Sequence, residues 1–246
     1  MNKRVAVVTG GIGGLGTDIC RALARAGRSV IAADLGSRAE RIAEFERDTA
    51  GLDIRFEPLD AGDFEACGAL VRKIEAERGT LDILVNAAGI TRDGTLRKMD
   101  KPQWDAVMNV NLDSVFNMCR HVVDGMMARG FGRIVNISSV NGQTGQFGQT
   151  NYSAAKAGMH GFTMALAREV ARKGVTVNSV SPGYCETALV MAIPEDIRAG
   201  IVEKVPVGRL GKPSEIARTV VFLTEDEAGF ITGANIPVNG GLFMSF

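Results

Sequence analysis

Tyr152 and Lys156 stand four residues apart in Asn151-Tyr152-Ser153-Ala154-Ala155-Lys156, a spacing that puts both side chains on one face of a helix. A free tyrosine has a pKa of about 10 and is a poor acid at neutral pH. A neighbouring ammonium stabilises the phenolate, lowers that pKa and makes proton exchange useful. Alone, such a pair describes an ordinary helix surface. Three further signals accompany it: a glycine-rich turn near the N-terminus, Asn86-Ala87-Ala88-Gly89, and Ser138-Ser139 shortly upstream. Together they read as a proton-transferring site beside a bound nucleotide.

The glycine-rich run is Thr9-Gly10-Gly11-Ile12-Gly13-Gly14-Leu15-Gly16, between an apolar run and a helical pattern. It fits Gly-x-Gly-x-x-Gly at 11, 13 and 16 and equally Gly-x-x-x-Gly-x-Gly at 10, 14 and 16. In both spacings glycines permit a tight turn and close backbone approach, so that a pyrophosphate meets the helix N-terminus. Asp34 closes the next β-rich run, where a carboxylate grips the adenosine ribose hydroxyls and repels a 2′-phosphate. NADH is therefore expected over NADPH, with Arg38 and Arg41 as the residues able to swing inward and neutralise that phosphate. Asp60, with Ala61 beside it, is placed to reach the adenine edge. Asn86, Ala87, Ala88 and Gly89 let the backbone approach the inner ribose, and Pro182-Gly183 ends a later strand.

The elements that must carry these residues alternate along the chain. Val5–Val8, Ser29–Ala33, Ile54–Glu57, Ile83–Val85, Arg133–Ile137, Thr176–Val180 and Asn235–Val238 read as strands. Between them, Gly14–Ala26, Arg38–Asp48, Asp63–Arg78, Lys101–Arg129, Tyr152–Lys173 and Pro213–Leu223 read as helices. Near-continuous apolar strands separated by helices predict a parallel sheet covered on both faces, and right-handed crossovers make it a doubly wound α/β fold of the Rossmann type. No linker or repeat interrupts the pattern, so one domain spans 1–246, with a dinucleotide-binding half over 1–130 and a catalytic and substrate-binding half over 131–246. The segment from Gly183 to Leu210 breaks the alternation, and a connection that long usually carries function; residues 184–210 are read as a lid.

Composition narrows the function further. With 28 basic and 28 acidic residues in 246, no net field recommends nucleic acid or an anionic membrane as a partner. No apolar run approaches the roughly 18 residues of a membrane span. The start, Met1-Asn2-Lys3-Arg4 then Val5–Val8, has too short an apolar stretch for a signal peptide and runs into glycines. Cys20, Cys67, Cys119 and Cys185 are widely spaced and read as reduced thiols of a cytoplasmic protein. His121 and His160 read as helix residues and not as metal ligands, so no metal is expected.

By these motifs the chain resembles the short-chain dehydrogenase/reductase family along its whole length: Thr9–Gly16, Asn86–Gly89, Asn111, Ser139, Tyr152, Lys156 and Pro182-Gly183-x-x-x-Thr187. The family often has Asn-Asn-Ala-Gly where this chain has Asn86-Ala87-Ala88-Gly89. A closer likeness, to bacterial acetoacetyl-CoA reductases, rests on Gly89–Asp93, Arg97–Met99, Asn136–Gln143, Gly145–Tyr152 and Ser181–Tyr184; the β-ketoacyl carrier-protein reductases share the framework. The resemblance implies that Tyr152 donates a proton to a 3-keto oxygen, that Ser139 hydrogen-bonds it, and that Lys156 lowers the tyrosine pKa and holds the nicotinamide ribose. Ser138 and Ser139 point to opposite faces of a strand end, so only one can reach the pocket; the resemblance implies Ser139, because the family serine sits at this offset before Tyr152. Asn111 would anchor a water leading protons to Lys156, and Thr187 would contact the nicotinamide carboxamide. Asp93, Lys98, Gln146, Phe147, Gln149 and Tyr184 look like substrate contacts for an acyl-CoA thioester. Met191, Ile193 and Ile201 would line a short acyl pocket. The likeness also implies a homotetramer through Lys101–Arg129 and Tyr152–Lys173, with the tail Leu242–Phe246 adding apolar contact.

Overall fold

In the computed structural model, which describes residues 3–244, the seven apolar runs become strands: β1 Val5–Thr9, β2 Ser29–Asp34, β3 Ile54–Pro58, β4 Ile83–Asn86, β5 Gly132–Ile137, β6 Val175–Pro182 and β7 Asn235–Val238. They pair in parallel, in the order β3-β2-β1-β4-β5-β6-β7. Every residue of β1, β2, β4, β5 and β6 is buried, as a sheet covered on both faces requires. Winding reverses between β1 and β4, which opens a crevice at the carboxyl ends of the strands, where sheets of this kind bind ligands.

Helices α1 Gly14–Arg25, α2 Ala39–Asp48 and α3 Phe64–Arg78 follow the first three strands, and α4 Lys101–Met108 and α5 Ser114–Arg129 the fourth. Then come α6 Asn141–Thr144, α7 Thr150–Val170, α8 Ala188–Met191, α9 Glu195–Glu203 and α10 Pro213–Leu223. Residues of α1, α2 and α10 pack one face of the sheet, and residues of α3, α5 and α7 the other. Local chemistry sets the ends: Asp63 caps α3 through the Ala66 N–H at 3.0 Å, Gly79 ends it at φ +76°, and Asp100 with Gln103 forms a capping box on α4.

The structure corrects one expectation. Lys101–Arg129 is not one continuous α-helix, because a π turn at Asn109–Asp113 interrupts it. The segment after Gly183, which breaks the alternation, holds α8 and α9. Its ends are pinned: Glu186 N–H donates to Gly211 O at 2.8 Å and Gly211 N–H to Tyr184 O at 2.9 Å. All four cysteines are free and buried. Among the described residues no helix is long and apolar enough to cross a membrane. Met1, Asn2, Ser245 and Phe246, which belong to the leader and tail readings, lie outside the described residues.

A buried polar chain fixes α7 to the sheet. Asn86 of β4 and Asn136 of β5 are register partners. Asn86 Nδ2 donates to Asn136 Oδ1, and Asn136 Nδ2 donates to Thr163 Oγ1 on α7, each at 2.9 Å. Asn136→Ala removes an acceptor and a donor from groups that cannot reach water. The variant should lose about 1–3 kcal/mol of stability, read as a lower urea midpoint with an unchanged m-value.

Candidate active site

The first wall of the crevice is the turn between β1 and α1. Thr9 Oγ1 accepts from the N–H groups of Ala87 and Ala88 at 3.1 and 3.2 Å, so the turn is tied to the end of β4. Gly10 has φ +64°, and a Cβ there would stand 2.8 Å from the Ala87 carbonyl oxygen. A Cβ on Gly16 would run into the Gly10 carbonyl. Gly10, Gly13, Gly14, Leu15 and Gly16 face a cavity that reaches Ala87, Gly89, Tyr152, Lys156 and Thr187. Gly11 lies against Ala32, and Ile12 is buried in the core. Both residues shape the turn from behind. Helix α1 begins without a side-chain cap and without an acid in its first turn, which leaves an N-terminus suited to an anion.

Asp34 is nearly buried at the end of β2; its Oδ1 accepts from Leu35 N–H at 2.8 Å, and Arg38 Nη1 stands 3.8 Å away. Arg41 is turned into the fold: Nε donates to Ile12 O at 2.7 Å and Nη2 to Thr17 Oγ1 at 3.0 Å. Asp60 is exposed and accepts from Gly62 N–H at 2.9 Å, while Ala61 is buried. Asn86 points inward toward Asn136, so its cleft-facing contribution is backbone. A bare helix N-terminus, a carboxylate at the end of β2 and walls of small residues at Ala87 and Gly89 together fit a dinucleotide.

The candidate reacting groups lie just after β5, on α7 and in the π turn. Ser138 Oγ is buried and donates to Lys156 O at 2.9 Å, whereas Ser139 faces a second cavity with Tyr152. Lys156 is buried, and its Nζ donates to Ile137 O at 2.8 Å. Burial pushes its pKa down to about 7. Burial also raises Tyr152, partly opposed by the Ser139 hydroxyl and reinforced by the charge of Asp93 and by Tyr184. The expected depression of Tyr152 by an ammonium is therefore not what this structure has: Lys156 Nζ is 5.5 Å from the tyrosine ring centre, and desolvation is the largest cause of the tyrosine shift.

Asn111 sits in the π turn, fully buried, with Nδ2 donating to Val107 O and Ile90 O at 2.9 Å each. Its Oδ1 has no protein partner. A Cβ on Gly89 would lie 2.7 Å from that oxygen and 3.5 Å from Lys156 Nζ, so glycine keeps the gap between the two residues open. π turns of this kind occur often at functional sites.

The second cavity is lined by Thr91, Asp93, Ser139, Asn141, Gln149, Tyr152 and Tyr184, with Leu189, Val190 and Ile193 from α8 and the turn after it. It shares Tyr152 with the first. Of the expected acyl-pocket residues, Ile193 lines it, Met191 is exposed, and Ile201 lines a neighbouring groove with Gln146, Tyr184 and Lys204. Lys98 is exposed outside the cavity, and the Phe147 ring is 86% exposed. Gln149 has both amide ends engaged by other side chains, donating to the exposed Asp93 Oδ2 and accepting from Asn141 Nδ2, each at 2.9 Å. Thr9, Thr91 and Asn141 stand in the motif runs of the sequence without a role of their own, and Leu189 and Val190 are not singled out by any motif. The signal of the last two is apolar residues inside a long connection.

Comparison with known proteins follows the same lines. A family model described as enoyl-(acyl carrier protein) reductase matches residues 10–243. The chain is 57% identical to the acetoacetyl-CoA reductase of Allochromatium vinosum, over 98% of this chain and 99% of the relative. It is 53% identical to that of Cupriavidus necator, over 99% and 100%. It is 45% identical to the 3-oxoacyl-(acyl-carrier-protein) reductase FabG of Escherichia coli, over 98% of each.

The lowered Lys156 pKa has a thermodynamic consequence. Between about pH 7 and the ordinary lysine pKa the unfolded chain binds a proton that the folded chain does not, so stability rises with pH across that window, by at most about 1.4 kcal/mol per unit. Lys156→Met removes this dependence. The stability of the variant relative to wild type should be greatest near pH 7 and fall as pH rises to 9, measured as paired urea midpoints; a pH-independent difference would contradict it.

Proposed function

Because the chain belongs to the short-chain dehydrogenase/reductase family, we propose that it reduces the 3-keto group of acetoacetyl-CoA to (R)-3-hydroxybutyryl-CoA. The observation that carries this reading is that Tyr152 stands in the wall common to both cavities, one bounded by the glycine turn and the other by Ser139 and Tyr184. A carbonyl carbon in the second cavity thus lies beside whatever the first one holds. The reduced nicotinamide, when bound, supplies the hydride that adds to that carbon.

The residues of the chain do the rest. Tyr152 donates its phenolic proton to the carbonyl oxygen, and Ser139 donates a hydrogen bond where negative charge develops. Burial keeps Tyr152 in the protonated form that reduction consumes. Lys156 holds the nicotinamide ribose, and Asn111 leads the replacement proton toward it. Gly10–Gly16 with α1 cradle the pyrophosphate, Thr187 meets the carboxamide, and Asp34 with Asp60 receives the adenosine. Tyr184, Gln146 and Phe147, with Asp93 and Lys98 nearby, border the thioester and its pantetheine arm. The stereochemistry and the downstream use of the product in polyhydroxybutyrate synthesis rest on likeness to the acetoacetyl-CoA reductases. A cytoplasmic site and a homotetramer belong to the same reading; Phe116, Val123, Phe162 and Leu166 line an apolar groove between α5 and α7 suited to a second copy.

Asp34 favours NADH in this reading, since a carboxylate at the end of β2 accepts from ribose hydroxyls and repels a 2′-phosphate. Steady-state kinetics should give a higher kcat/KM with NADH than with NADPH, and the reverse ratio would refute this assignment. Acetoacetyl-CoA should be turned over with a higher kcat/KM than the carrier-protein thioester; the opposite order would move the protein to fatty-acid synthesis. Tyr152→Phe should lower kcat by about 10²-fold or more while dinucleotide affinity is retained, measured by fluorescence titration. Undiminished turnover in a folded variant removes the mechanism.

A further inference from the structure

Three polar contacts run in series from the rim of the substrate cavity to the serine hydroxyl. Asp93, in the loop after β4, accepts from Gln149 Nε2 at 2.9 Å. Gln149, just before α7, accepts at Oε1 from Asn141 Nδ2 at 2.9 Å. Asn141, the first residue of α6, donates its backbone N–H to Ser139 Oγ at 3.1 Å.

The direction of this series is fixed from one end. An ionised carboxylate only accepts, so Gln149 must turn its NH2 toward Asp93 and its carbonyl toward Asn141, which then must present its own NH2. At the other end the Asn141 N–H occupies a lone pair of Ser139 Oγ, which leaves the serine hydrogen free to turn into the cavity that Tyr152 also lines. The Gln149 backbone meanwhile begins the helix that carries the tyrosine: its carbonyl accepts from Ser153 N–H at 2.8 Å. One side chain therefore joins the rim loop, α6 and the start of α7. Satisfied polar series of this kind hold their members in one arrangement, and each member depends on the others.

We propose that Asp93, Gln149 and Asn141 form a positioning relay that aims the Ser139 hydroxyl, and that Gln149 acts through this relay and not by touching the thioester. The proposal rests on the reading of Ser139 and Tyr152 as the reaction centre. A substrate contact and an internal relay predict different kinetics. Loss of a contact made equally in ground and transition states raises KM, whereas loss of aim lowers kcat.

The test is a charge-compensated exchange in the full-length protein. Gln149→Glu sets two carboxylates against each other, whereas Asp93→Asn in that background gives the new carboxylate an amide donor while Asn141 still donates to it. Gln149→Glu should lower kcat for acetoacetyl-CoA about tenfold or more, with KM within about twofold, and the added Asp93→Asn should restore most of it, within the range of coupling seen for contacting polar residues. Asn141→Ala, which keeps the backbone N–H but cuts its tether, should also lower kcat with KM held. Urea midpoints of the same set, taken without substrate or cofactor, should show the same coupling between positions 93 and 149. Three results would overturn the relay: a rise in KM at constant kcat, a double variant no better than Gln149→Glu, or additive midpoints. A wild type inactive on both CoA and carrier-protein thioesters would overturn the functional reading instead, while the midpoint cycle still decides the pairing.

Discussion

The seating of α7 on the end of β5 is the constraint from which the site follows. Lys156 Nζ donates to Ile137 O, and Ser138 Oγ donates back to Lys156 O, so strand and helix are bonded in both directions within one helical turn of Tyr152. The Asn86–Asn136–Thr163 chain repeats the attachment two turns further along α7. Gly142 allows α6 to approach: a Cβ there would lie 2.8 Å from the Lys156 carbonyl carbon. With the helix held this closely, the tyrosine has one place to stand, in the wall between two cavities.

The same closeness sets the protonation of the site. A lysine sealed against a strand carbonyl sheds its charge more readily, and a tyrosine sealed beside it keeps its proton. Both shifts have desolvation as their largest cause, and both favour the neutral form. The resting pair is thus a proton donor and a weakened base, an arrangement suited to delivering a proton to a carbonyl oxygen and then regaining one. The sequence spacing implies an ion pair on a helix face because it carries no information about depth; burial reverses the direction of the tyrosine shift.

Much of the fold was legible because its signals are local. Seven apolar β-rich runs with turn residues after them become seven parallel strands, each with ends within a residue or two of the expected ones. Tyr152, Lys156 and the glycine turn were legible for the same reason, since each depends on spacing within a few residues. What escaped depends on partners far along the chain. The π turn at Asn109–Asp113 leaves no mark in the periodicity of Lys101–Arg129, and it matters because it brings Asn111 under Gly89. Thr9 looks like the last residue of a strand until its hydroxyl meets Ala87 and Ala88. Gln149 gives no sign in the sequence of Asp93 and Asn141, 56 and 8 positions away, which engage both ends of its amide.

Non-local partners also bear on cofactor choice. Arg38 and Arg41 look alike as cations near Asp34, but their surroundings differ. Arg41 bonds the Ile12 carbonyl and the Thr17 hydroxyl, and it pairs with Glu44 at 2.6 Å. Drawing it toward a 2′-phosphate would break contacts that brace the glycine turn itself. Arg38 is half exposed and stands 3.8 Å from Asp34, too long for a hydrogen bond and weak for an exposed pair. Moving Arg38 therefore disturbs little, whereas Arg41 is held by the turn that it braces. Two cations that the sequence makes equivalent are thus separated by Ile12 and Thr17, partners 29 and 24 positions away from Arg41.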